Sequence, residues 1–153
     1  MHLFFLVLVT GSLLLNAQKT SDTRPPGKSE LEGEWALIVW DFEGHWLTAQ
    51  EDPIGDHYRD LRFTFTADRI KIKLRENGQR IRLGWDGADW PYQIDPKKNP
   101  KQIDSEGLGP GIYSLRGNRL VICCNRGGNK RPEEFEIKSK GPDTLLLLER
   151  VKK

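Results

Sequence analysis

"IKIKLRENGQRIRLGW", Ile70 to Trp85, sets an Asn-Gly pair between two runs of alternating apolar and polar residues. That pattern is the strongest short-range signal for a β-hairpin closed by a two-residue turn. Pairing outward from Asn77-Gly78 places Leu74 opposite Ile81, Ile72 opposite Leu83 and Ile70 opposite Trp85, which makes one apolar face. The other face then carries Lys71, Lys73, Arg75, Arg80 and Arg82, with Arg62 on the preceding run. Like charges directly across a sheet destabilise it. The basic face therefore asks for a physical reason.

Period-two alternation extends in both directions from the hairpin, and helical periodicity is nearly absent. "EWALIVWDF" (Glu34 to Phe42) is apolar on both faces, as a strand covered on both sides would be. "LRFTFTAD" points Leu61, Phe63 and Phe65 one way and Arg62, Thr64 and Thr66 the other. "DWPYQID" and "KQID" flank the turn-rich "PKKNP", which predicts a hairpin with Ile94 and Ile103 facing the core. In "GIYSLRGNRLVIC" the Gly117-Asn118 pair marks another hairpin, opposing Leu115 with Leu120 and Tyr113 with Ile122. "EEFEIKS" and "TLLLLERV" complete eight or nine short strands. Such a list reads as all-β: an antiparallel up-and-down barrel of about eight strands. Trp35, Phe63, Phe65, Trp85, Trp90, Tyr92 and Leu147 are the side chains expected either to fill its interior or to line a cavity in it.

The chain has 153 residues, one domain's worth. Residues 1–17, "MHLFFLVLVTGSLLLNA", lack charged side chains, and the apolar run Leu3 to Leu15 matches a signal-peptide core better than a bilayer span. Residues 18–30, "QKTSDTRPPGKSE", are polar and carry Pro25-Pro26-Gly27, the composition of a flexible linker. The barrel domain is expected over 31–152, in a secreted, periplasmic or cell-envelope protein. Cys123 and Cys124 are the only cysteines and adjoin each other in a strand, where neighbours point to opposite faces, so two thiols are expected rather than a bridge. A formal net charge of +2 selects no partner; only the distribution of charge does.

One interval breaks the strand pattern. "EGHWLTAQEDPIGDHYRD", Glu43 to Asp60, is too long for a hairpin and is expected to form a loop with a short helix near Thr48 to Glu51, placed to cover a barrel mouth. Its His45, Trp46, His57 and Tyr58 are the candidates for touching a ligand. No spacing there supports a metal site, and Asp95 and Asp104 read as turn formers at strand ends rather than as an acid–base pair. The sequence contains no nucleophile elbow, phosphate loop, CxxC or HExxH, so no catalytic residue, cofactor or metal is expected.

Five motifs in order, "LEGEW" (Leu31 to Trp35), "YQIDPKKNPKQIDSEG" (Tyr92 to Gly107), "GIYSLRGNRLVIC" (Gly111 to Cys123), "RPEEF" (Arg131 to Phe135) and "LLLLERV" (Leu145 to Val151), resemble a family of small exported proteins abundant in planctomycete bacteria. The resemblance covers nearly all of the expected domain. It implies a lipocalin-like barrel in which Arg150 packs over Trp35, two residues after Gly33; it implies no activity. Cys124 and the basic hairpin lie outside the family pattern.

Taken together, these features describe a monomeric exported binding module rather than an enzyme. It would take a small apolar molecule inside the barrel, or an anionic polysaccharide or lipid head groups on the basic hairpin; nucleic acid is not an expected partner of an exported domain. The alternative is a structural or protein-interaction domain of the envelope, without a small-molecule ligand.

Overall fold

The computed structural model describes residues 29–42, 45–48, 61–74, 85, 87–136 and 143–152, with side chains at all of these except 42, 45–48 and 74. Among the described residues there are nine strands: β1 (Gly33–Phe42), β2 (His45–Thr48), β3 (Leu61–Phe65), β4 (Arg69–Leu74), β5 (Asp89–Asp95), β6 (Lys101–Ser105), β7 (Gly109–Arg116), β8 (Arg119–Asn125) and β9 (Asp143–Arg150). Every pairing is antiparallel. Strands β1 and β3 to β9 follow one another around the sheet, and β9 returns to β1, closing an eight-stranded barrel. Among the described strands, closure leaves no barrel strand without a neighbour on either side. The short β2 is an appendage, folded back on the far half of β1.

Alternation explains the inner lining. Leu61, Phe63 and Phe65 of β3 and Ile70 and Ile72 of β4 are buried, while Thr64, Lys71 and Lys73 between them are exposed. The Gly117-Asn118 hairpin has the expected register, Leu115 opposite Leu120 and Tyr113 opposite Ile122. The second expected hairpin also forms, pairing Ile94 with Ile103. Lys97 and Lys98 are exposed in its loop, and the Lys97 amide donates to Asp95 Oδ1 at 3.0 Å, the turn role expected of that aspartate.

At Ile70 and Ile72 the partners differ from those expected of the opening hairpin. Ile70 lies opposite Trp90, not Trp85. Ile72 exchanges backbone hydrogen bonds with Gly87 and Ala88 rather than pairing with Leu83. Asn77-Gly78 falls outside the described residues. The physical reason is Trp85, whose ring is 2% exposed in the core, stacked on Trp40 at 4.7 Å and edge-on to Phe63 and Trp90. Gly87, with φ +78°, lets the chain turn between this buried indole and β5. Burying an aromatic of this size draws Trp85 off the expected pairing with Ile70.

Three smaller expectations also change. Thr48, expected to begin a helix, ends strand β2, because His45 to Thr48 pair with Phe42 back to Val39. Glu133 to Glu136 form no strand. Leu147 lies on the outer row with Val39 and Val121, while its neighbours Leu146 and Leu148 enter the core.

Candidate functional site

The barrel has two unlike ends. At the end where β1 begins and β9 finishes, Trp35 is fully buried and the Arg150 guanidinium carbon lies 4.1 Å from its ring centroid. Arg150 also donates to the carbonyls of Glu32 (2.6 Å) and Glu30 (3.1 Å), and Trp35 Nε1 donates to Leu31 O at 2.8 Å. Gly33 has φ +134°, a backbone conformation that favours glycine, and a Cβ there would sit 2.7 Å from Arg150 Nη1 and displace the guanidinium. Gly33, Trp35 and Arg150 thus hold the expected places.

The same end carries a polar latch that sequence reading did not find. Tyr113 OH donates to Glu30 Oε1 at 2.6 Å, and Lys101 Nζ bonds both Glu30 oxygens at 2.8 and 3.1 Å. Burial alone would raise the Glu30 pKa, but the hydrogen bonds from Lys101 and Tyr113 and the charge of Lys101 outweigh it and hold the carboxyl below its ordinary value. Burial, and then the bond to Glu30, push the Tyr113 phenol above its usual range. Only the residue types were legible beforehand; the partners are 71 and 83 positions apart.

Between the ends, the described inward side chains pack on one another. Besides the Trp40–Trp85 stack, Phe65 meets Tyr92 edge-on at 5.4 Å, and Arg126 lies 4.9 Å from the Trp85 ring centroid. Hollows are found among the described residues. One of about 260 Å³ is lined by residues 130–134 with Asn125, Glu136 and Asp143; one of about 990 Å³ lies beside Gly33 and Lys152; a shallow one of about 590 Å³ lies beside Pro91 and Pro110. Arg131, from the quoted motif "RPEEF", clamps the β6–β7 pair by donating to the carbonyls of Ile103 and Gly111 and, at 2.7 and 2.9 Å, to the Asp104 carboxylate. Cys123 and Cys124 are free thiols, both fully buried. Burial, with the nearby Asp143 charge, pushes the Cys123 thiol up to about 11, and burial also raises Cys124.

The basic face is built on β3 and β4. Arg62 stands directly opposite Lys73, and Lys71 stands opposite Thr64 on one side and Asp89 on the other. Arg62 Nε is 3.8 Å from Glu34 Oε1, and Arg69 Nε donates to Asp89 Oδ1 at 2.6 Å. Lys71 and Lys73 are exposed and take no part in the ion pairs found among the described residues. Arg75, Arg80 and Arg82 lie outside the described residues, as do His57 and Tyr58. His45 and Trp46 belong to β2, in register with Phe42 and Asp41, rather than to an open loop. No group of three or more His, Cys, Asp or Glu among the described residues is arranged to hold a metal ion.

Comparison with protein-family models, with curated proteins and with solved structures finds no match.

Proposed function

We propose that this chain is an exported binding module whose basic outer face on β3 and β4 docks an anionic envelope polymer, a sulfated or carboxylated polysaccharide foremost and anionic lipid head groups by the same chemistry. The observation that carries this reading is the juxtaposition of Arg62 and Lys73 on adjacent strands, with Lys71 next along the same face. Two like charges set opposite one another cost stability, and an extended polyanion laid across the strands relieves that cost. The charge-free N-terminal run and the resemblance to exported proteins support a location outside the cytoplasm, where such polymers are met. The aromatic packing of the interior favours the outer face over an apolar ligand held inside.

A specific observation favours a second reading, a structural or protein-interaction domain. Arg62 has Glu34 nearby and Arg69 has Asp89, so part of the positive charge is neutralised within the sheet, and the remaining lysines would then serve solubility. Immobilised heparin, used as a generic polyanion, separates the two. The docking reading expects wild type to elute at clearly higher salt than Lys71→Glu/Lys73→Glu. Elution of both at the same low salt leaves the charges to the second reading.

A further inference from the structure

Strands β1 and β9 are apolar on both faces, but the barrel core uses only one face of each. Leu146 and Leu148 are fully buried inside, whereas Leu145 and Leu147 lie on the outer surface and are partly exposed. A bulge between Leu37 and Val39 leaves Ile38 36% exposed, an unusual position for an isoleucine on a sheet that meets water. Reading the registers across four strands gives one outer row, Ser114, Val121, Leu147 and Val39, all partly exposed. The adjoining row is Arg116, Arg119, Glu149 and Ala36. Arg119 and Glu149 are cross-strand neighbours of opposite charge, yet neither takes part in an ion pair found among the described residues.

We propose that this outer face of β8, β9 and β1 pairs two copies of the chain about a two-fold axis running along the strands between β8 and β9. Such an axis exchanges the two strands. It lays Val121 of each copy over Leu147 of the other, and Arg119 of each over Glu149 of the other. The two rows are self-complementary under that operation, as an isologous interface requires. Apolar side chains meet in the middle and opposite charges meet beside them, which fixes the register of the pair. The charge order decides the occupant: a face carrying both members of an ion pair on adjacent strands, not joined to each other, is complementary to itself. So few residues fall short of the roughly 20–30 a side of a standard-size interface, so the association is reversible and depends on concentration. The proposal does not rest on the basic face, which belongs to β3 and β4.

Sedimentation equilibrium of the full chain over a wide concentration range tests it. Wild type should pass from monomer to dimer. Arg119→Glu alone and Glu149→Arg alone should each raise the dissociation constant about tenfold or more, because each sets like charges across the axis twice. The double variant Arg119→Glu/Glu149→Arg should recover most of the wild-type affinity. Because the swap also restores opposite charges across β8 and β9 within one copy, urea midpoints of the single variants are measured alongside and should stay close to that of wild type while their dimer affinity falls. Leu147→Lys should remain monomeric. A wild type that stays monomeric throughout, or a dimer whose affinity all of these variants share, would overturn the proposal.

Discussion

Arg150 lies over Trp35 with its guanidinium carbon 4.1 Å from the ring centroid, joining the first and last strands of the barrel at one end. The two residues are also register partners across β1 and β9. The ring is fully buried, so Trp35→Ala should lower unfolding free energy by about 3–5 kcal/mol, through lost burial and the cavity left behind. Arg150→Ala should cost less, about 0.5–2 kcal/mol for the cation–π contact together with the donors lost to Glu30 and Glu32. Urea titration followed by tryptophan fluorescence measures both. An unchanged midpoint for Trp35→Ala would contradict the packing described.

The Glu30 latch should make stability depend on pH at the acid end. Its folded-state pKa is depressed, so the carboxylate contributes stability above its ordinary value of 4.5, and that contribution disappears as pH falls through the lower, folded-state pKa. The urea midpoint of wild type should therefore drop as pH falls below that ordinary value. Glu30→Gln should start lower at neutral pH and vary less over the same interval. Parallel profiles for the two proteins would mean that Glu30 bears no part of the acid sensitivity.

Arg131 should matter to stability beyond its charge. Its guanidinium donates to the Ile103 and Gly111 carbonyls as well as to Asp104, so Arg131→Ala removes several charge-assisted donors at once and should cost about 1–3 kcal/mol. Arg131→Lys cannot reproduce the planar fork and should recover only part of that loss. Asp104→Asn keeps both carbonyl contacts and should be the mildest of the three. Denaturant midpoints in that order support the clamp; equal midpoints for Arg131→Ala and wild type contradict it.

Local period and turn chemistry made much of the fold legible. The Gly117-Asn118 hairpin, the Ile94–Ile103 pair and the inward row Leu61, Phe63 and Phe65 each depend on a few residues adjacent in sequence, and each keeps its expected place. The Trp35–Arg150 contact was carried by resemblance, because 115 positions separate the partners and no local rule joins them. The Trp85 register failed for a related reason: a turn preference is local, but the stack with Trp40 is a long-range gain in burial that a hairpin rule does not weigh. The latch of Glu30 with Tyr113 and Lys101 and the Arg131 clamp are also products of closure. Of the candidate site, period-two alternation puts Arg62, Lys71 and Lys73 on one outward face, and on the β3 side Lys73 stands opposite Arg62; the expected partner Arg82 lies outside the described residues.

The most direct test of the docking face is the salt dependence of polyanion binding. A cation that contacts the polymer releases a counterion on binding, so each contact contributes about one to the slope of log affinity against log salt. Titration of wild type and Lys71→Ala/Lys73→Ala with a defined sulfated oligosaccharide, repeated at several ionic strengths, yields both slopes. Neutral substitutions avoid adding repulsion, and exposed lysines leave the core untouched. Wild type should bind with a measurable affinity that falls with salt, and the double variant should show a slope shallower by about two. Equal slopes, or no binding by wild type at low salt, would contradict it.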